Sequence, residues 1–377
     1  MKEGWKYKRL GEVCDILDGK RKPITKNKRE AGKIPYYGAT GVLDFVKDYI
    51  FDEKLVLLGE DGAKWGAGEP SAYIINGKSW VNNHAHTLRP HRQTIIDEYL
   101  VYFLNFSNLL DYITGVTVPK LNQEKMRSIP IPVPPLSEQE RIVAYLDKQF
   151  ERIDMLKNNA EHQLQAAKDL FQAALKELLT PKEGWEENKL GELVTKLVDG
   201  SHNPPKGVEK NPYKMFSSRN VNFDGLQNLS DVRYLSKEDF ITEDKRTRAK
   251  TDDVLLTIVG TIGRSYVLKE DDLPLTLQRS VAIITPKSFI SSRYLMYYFK
   301  GIDKVLNDNA HGAAQKGIYL NQLKSVFILY PTFPEQQNIV SRLDALSERV
   351  KQLQSNYEQT ITLCNDLKQA LLKSIFE

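Results

Sequence analysis

A chain of 377 residues with 53 Lys and Arg against 49 Asp and Glu, a formal charge of +4 and 41% hydrophobic residues has the make-up of a globular protein of two or three domains. It holds no apolar run near the ~18 residues of a membrane span, Met1-Lys2-Glu3-Gly4 opens no signal peptide, and Cys14 and Cys364 are its only cysteines. Membrane insertion, a disulfide framework and a thiolate metal site are therefore not expected, and the cytoplasm is the default compartment.

The first module spans residues 1–136. It opens on Glu3-Gly4-Trp5 and Leu10-Gly11-Glu12 and then crowds Lys20, Arg21, Lys22, Lys26, Lys28, Arg29 and Lys33 into one loop. Strand-like runs at Lys54 to Leu58 and Ser71 to Ile75 alternate with Gly-rich turns, and helical patterns follow at Glu98 to Phe106 and Leu109 to Ile113, which predicts an α+β domain. Pro130, Pro132, Pro134 and Pro135 enforce an extended segment that serves as the domain boundary. Ser137 with Glu140 has capping-box spacing. From there Ile142, Leu146, Ile153, Leu156, Ala160, Leu164, Ala167, Phe171, Ala174 and Leu178 form a stripe at steps of mostly three and four. This predicts one helix over 137–181, roughly 40 residues or about 65 Å long.

The second module, 182–333, restarts with Glu183-Gly184-Trp185 and Leu190-Gly191-Glu192. It places a second basic cluster at Lys245, Arg246, Arg248 and Lys250, and ends on Pro331 and Pro334. A second helix follows over 334–377, with the stripe Ile339, Leu343, Leu346, Val350, Leu353, Tyr357, Ile361, Cys364, Leu367, Leu371 and Ile375. Leu121-Asn122-Gln123 returns as Leu320-Asn321-Gln322, and Glu138-Gln139 with Ile142-Val143 and Leu146-Asp147 returns as Glu335-Gln336, Ile339-Val340 and Leu343-Asp344. A period this long is no solenoid; it is two homologous modules with constant ends and a variable middle. If the helices pair antiparallel within the chain, the modules sit in a pseudo-two-fold arrangement, the symmetry by which proteins match two DNA half-sites. The stripes equally allow a coiled coil between two chains; matched lengths and repeat order favour the intrachain pair.

The basic loops suit a polyanion. Candidate base or phosphate contacts in the first module are Lys20, Arg21, Lys22, Lys26, Lys28, Tyr36, Tyr37, Lys64, Asn82, Asn83, His84, His86 and Lys120. In the second they are Ser201, His202, Arg219, Asn220, Lys245, Arg246, Arg248, Arg264, Gln278 and Arg279. Arg and Lys pair guanine and Asn and Gln pair adenine in the major groove; as many of these residues are expected to be plain turn-makers or solvated loop residues. Three catalytic signals fail. Asn203-Pro204-Pro205-Lys206 has lysine where an amino-group DNA methyltransferase carries a stacking ring. Gly59 to Gly68 matches no phosphate loop, and His84-Ala85-His86 has no third metal ligand near it in sequence.

Over its whole length the chain resembles the specificity subunits of type I restriction-modification systems. The likeness rests on the Gly-Trp and Leu-Gly-Glu openings, Asp18-Gly19 and Asp199-Gly200, and Gly115 before Lys120-Leu121-Asn122-Gln123. It rests equally on Ile129 through Leu136 followed by Glu138-Gln139 and Ile142-Val143. The second copy departs locally, with Leu329-Tyr330-Pro331-Thr332-Phe333-Pro334 and with Gly312 farther from Leu320. The resemblance implies a non-catalytic adaptor in which two target-recognition domains read a bipartite site in double-stranded DNA and a two-helix coiled coil acts as a ruler. It implies two methyltransferase subunits as partners and leaves open whether two restriction or motor subunits join. No cofactor is expected on this chain; S-adenosylmethionine, ATP and magnesium would belong to the partners. The rival readings are a stand-alone adenine-specific DNA methyltransferase and a coiled-coil scaffold without DNA binding.

Overall fold

The computed structural model describes residues 5–115, 117–311 and 316–377; Glu3-Gly4 of the opening motif and Gly312 lie outside the described residues. The chain forms two compact units, Met1–His162 with Tyr357–Glu377, and Gln163–Asn356. Both long helices, Leu136–Leu178 and Phe333–Phe376, cross this division, so each lends one part to either unit. Among the described residues no helix is long and apolar enough to cross a membrane.

The first unit is built on a four-stranded antiparallel sheet ordered Cys14–Ile16, Ala85–Pro90, Leu55–Gly59, Ala72–Ile75. Leu55, Val56, Leu57 and Leu58 are all fully buried because both faces of this sheet are covered. Val56 and Leu58 face a core shared with the helix Asp97–Phe106 and the long helices, whereas Leu55 and Leu57 face Phe51, Val81 and Tyr37. A strand buried on two sides reads as a continuous apolar run, without alternation. The second layer is the sheet Gly41–Val46, Ala31–Gly38, Lys78–Val81, Phe51–Asp52, in which Ala31–Gly38 and Lys78–Val81 run parallel.

The second unit repeats this plan. Its antiparallel sheet is Val194–Asp199, Val281–Pro286, Val254–Thr257, Ser265–Val267, with Val254 and Leu256 on one core and Leu255 on the other. Its second sheet has Lys214–Phe216 parallel to Leu275–Leu277.

The repeated ends now have a physical purpose. The Pro-rich segment expected as a boundary is a strand: Lys6–Arg9 pairs antiparallel with Pro130–Val133, and Glu186–Lys189 pairs likewise with Phe327–Tyr330. Each is a two-stranded ribbon, and in the first Pro130 and Pro132 occupy edge positions where a missing N–H costs no ladder bond. The Leu10 and Leu190 N–H groups donate to Ile129 O and Val326 O, each at 2.8 Å. Gly11 and Gly191 lie under Arg127 and Lys324, where a Cβ would come within 3.1 and 3.3 Å of side-chain carbon. Gln139 and Gln336, both fully buried, tie the start of each long helix to its unit. Gln139 Oε1 accepts from Ile96 N at 2.9 Å while Nε2 donates to Thr94 O and Pro134 O, each at 2.9 Å. Gln336 does the same with Ser291 N, Phe289 O and Pro331 O at 2.9, 3.1 and 2.9 Å. Ser137, expected at the helix cap, lies inside a helix that begins at Leu136, since the Glu138 and Gln139 N–H groups already bond Pro135 O.

Within each unit the two helices pack antiparallel: Asp154 meets Lys368 at 2.6 Å and Lys157 meets Asn365 at 3.2 Å in the first, and Phe171 and Val350 share a core in the second. Two stripe positions are corrected. Leu156 and Leu367 are exposed at 57% and 49% while Leu175, Leu372 and Phe376 are buried. From Cys364 the buried side steps by four residues to Leu372 and Phe376, so Lys368 takes the place assigned to Leu367. Its ammonium sits 5.1 Å from the centre of the Phe150 ring.

Candidate nucleic-acid interface

In the first unit the basic loop is held as two 3-10 turns, Asp18–Lys20 and Lys26–Lys28. Lys20, Lys22, Lys26, Lys28 and Lys33 are exposed and form no ion pair among the described residues, which leaves their charge for a polyanion. The two arginines behave differently. Arg29 bonds Asp44 at 2.9 Å and stacks 4.3 Å over the Tyr36 ring. Arg21 turns inward.

Arg21 belongs to a cluster that sequence reading missed. Its guanidinium pairs with Glu60 and with Asp18 at 3.3 Å, Lys120 pairs with Glu60 at 2.7 Å, and His86 Nδ1 bonds Asp18 Oδ2 at 2.6 Å while Nε2 bonds Leu121 O at 2.7 Å. Thr87 N and Gln123 Nε2 also donate to Asp18, at 2.9 and 3.1 Å. Burial pushes the Asp18 carboxyl upward, but the His86 bond and charge, the Thr87 N–H and Arg21 hold it below the usual carboxylate range. Burial likewise acts on Glu60 and is outweighed by Lys120 and Arg21, so that it too is lowered. Asp18, Glu60 and His86 bring ligand atoms within 4.8 Å of one another, but Arg21 and Lys120 already supply the countercharge and both His86 ring nitrogens are engaged. The geometry is that of an ion-pair network rather than a metal site.

Four first-module candidates, Arg21, His86, Tyr36 and Asn82, are therefore corrected from surface contacts to internal parts. Arg21 and His86 sit in the network. Tyr36 is buried, its hydroxyl accepting from Ile24 N at 2.9 Å, and Asn82 is buried, its Oδ1 accepting from His84 N at 2.8 Å. Lys120 spends its charge on Glu60. Asn83 and His84 stay exposed, with His84 Nδ1 on Asp61. Lys64 is exposed beside Glu69 at 3.7 Å, and Tyr37 stands half-buried 6.0 Å from the Tyr73 ring.

In the second unit Asn220 is corrected in the same way: it is buried, closing a turn by accepting from Ser217 N at 2.9 Å and donating to Gln227 O and Asn228 O. Asp199, the counterpart of Asp18, bonds His202 at 2.7 Å and pairs with Arg246. Arg219 pairs with Asp231 at 3.1 Å on the surface. Ser201 and Gln278 are half-buried and bridge-paired with each other. Lys245, Arg248, Lys250 and Arg279 are exposed and Arg264 half-buried, with no ion pair among the described residues. Asn203–Lys206 is a loop pinned by Arg233, which donates to Pro205 O at 2.7 Å and Pro204 O at 3.3 Å. Gly59–Gly68 turns at Gly62 and Gly68, both at positive φ.

The family model described as type I restriction modification DNA specificity domain matches twice, over residues 2–166 and 182–363. The chain belongs to the family of type I restriction-modification specificity subunits. It is 29% identical over 349 residues to S.HindORF215P of Haemophilus influenzae, covering 90% of this chain and 86% of that one. It is 25% identical over 395 residues to the type I restriction enzyme MjaVIII specificity subunit of Methanocaldococcus jannaschii, covering 95% and 89%. Among solved structures, a chain from a study of complex assembly and conformational transition in the type I restriction-modification system has the same fold, with a TM-score of 0.76 at 20% identity over 100% of this chain and 98% of that one. Each repeat thus carries one copy of the family's domain on one copy of the buried frame.

Proposed function

We propose that this chain is the non-catalytic DNA-recognition subunit of a type I complex working in the cytoplasm. Each unit reads one half of an asymmetric bipartite site in double-stranded DNA, and the long helices set the unread spacer between the halves. Two methyltransferase subunits dock on it and carry S-adenosylmethionine; where restriction accompanies modification, two motor-nuclease subunits bring ATP and magnesium. One observation carries this reading: the same buried frame occurs twice, and the exposed side chains mounted on it differ, with Lys20, Lys22, Lys26 and Lys28 in one unit and Lys245, Arg248, Lys250 and Arg279 in the other exposed and without an ion pair among the described residues. A single function with two specificities needs that combination.

The experiment is a salt titration of duplex binding. Lys26→Ala with Lys28→Ala should weaken binding to all duplexes alike and lower the slope of log affinity against log salt by about 0.9 for each phosphate no longer neutralised. A changed sequence preference at an unaltered slope would contradict the phosphate role.

A further inference from the structure

The turn Asn82–His84 in the first unit, which leads into the strand Ala85–Pro90, is held far more firmly than a connection requires. The Asn82 N–H donates to Tyr37 O at 3.1 Å, and the Asn82 side chain accepts from His84 N at 2.8 Å. Glu60 N donates to His84 O at 2.8 Å. Arg21 donates to Ala85 O at 2.8 Å and Asn83 O at 3.4 Å, and its own guanidinium is fixed by Asp18 and Glu60. Below the loop, His86 is clamped at both ring nitrogens. On this rigid base two side chains, Asn83 and His84, remain exposed. With Nδ1 bonded to Asp61, His84 has Nε2 left without a protein partner among the described residues. In the neutral tautomer whose Nδ1–H donates to Asp61, Nε2 is an acceptor. The phosphate-suited lysine loop runs directly alongside: Lys22 N donates to Val81 O at 3.3 Å, and Trp80 Nε1 donates to Lys22 O at 2.6 Å.

We propose that Asn83 and His84 are specificity-determining residues of the first unit, reading base edges in the major groove, and that Arg21 is their positioning residue. The assignment rests on the DNA-recognition reading above. The Asn83 carboxamide matches the donor and acceptor pair of adenine, and His84 Nε2 matches an exocyclic amino group, of adenine or cytosine. Arg21 touches no base. It fixes the carbonyls on either side of His84, as preorganised recognition demands. A loop that merely joined two strands would need neither a part-buried arginine beneath it nor that arginine's Nη1 hydrogen bonds to two of its carbonyls.

The test is selection from a randomised duplex library by the full-length chain, the three single variants, the Asn83→Ala, His84→Ala double variant and the triple variant, with melting curves run in parallel. Asn83→Ala and His84→Ala should each lose about 10- to 100-fold of preference at one or two adjacent base pairs of a single half-site, at an unchanged salt slope. Arg21→Lys, which keeps the charge and loses the fork, should relax the same positions and add nothing further to preference in the Asn83→Ala, His84→Ala background. A purely structural arginine would instead weaken all positions equally and additively, and that result overturns the positioning role. If Arg21→Lys fails to fold, the two exposed-side-chain variants still decide the base-reading assignment, and Arg21→Gln, read in the same way, decides the positioning role. A bipartite consensus that survives Asn83→Ala and His84→Ala overturns the assignment while the recognition reading stands; a wild-type chain that enriches no sequence overturns both.

Discussion

Arg21 and Glu60 meet with side-chain exposures of 12% and 10%, so losing one partner leaves charge stranded in a poorly solvated place. Glu60→Gln should destabilise the first unit by about 2–3 kcal/mol near neutral pH. Because the Glu60 carboxyl is held below its ordinary range, its contribution is fully present above the unfolded-state pKa and disappears as pH falls through the lower folded value. Urea melts should therefore show a gap between wild type and variant at pH 7 that closes below about pH 4. Sequence reading grouped Arg21 with Lys20 and Lys22 because residue type and loop position are all a sequence offers. Whether a cation is free depends on carboxylates that only the fold brings near, and Glu60 lies at the end of a central strand. The repeated Asp18 was legible as a turn residue; its partners were not. Asn220 and His86 were misplaced for the same reason, since a polar side chain closing a buried turn and one facing solvent look alike in sequence.

At the scale of elements, both long helices, their paired stripes and the α+β character of each module were legible, because periodicity and proline punctuation are local signals. The parallel strand pairs and the pairing of each module's opening with its proline segment were not, because strand partners are distant in sequence. The repeated Glu-Gln pair shows the limit well. Its recurrence was plain, while its task, three hydrogen bonds that close the backbone around each helix start, depends on Thr94 and Ile96 in one unit and Phe289 and Ser291 in the other. Gln139→Ala strands those groups and should cost about 2–4 kcal/mol in calorimetry. Gln336→Ala should do the same to the second unit. Because Gln139 lies far from the exposed lysines in the chain and serves the frame, the half-site sequences read by surviving folded protein should be unchanged. The stripe erred at Leu156 and Leu367 because steps of three and four fit several nearby faces of a helix; the choice was made by Phe150 and Asp154 engaging Lys368.

For the whole molecule, the proposed ruler makes a quantitative demand. Four residues added to each long helix, at facing positions between Asn158 and Gln165 and within Lys351 to Ile361, lengthen a helical pair by about 6 Å, close to two base pairs at about 3.4 Å each. Methylation mapping with a methyltransferase partner co-expressed should then find both half-sites intact and the spacer longer by about one or two base pairs. Affinity should fall somewhat, because the helix gains a net turn near 40° while the DNA gains about 70°. An active variant with its original spacer would show that something else sets the distance.

The central claim is that one frame presents two independent readers, and exchange of the second module tests it most directly. Residues 182–333 would be replaced by the matching region of a relative, leaving in place the first module and both long helices, and methylated adenines mapped for parent and hybrid. The account predicts a hybrid site that keeps one parental half and replaces the other, with the spacer unchanged. A site altered in both halves, or in neither, would contradict it.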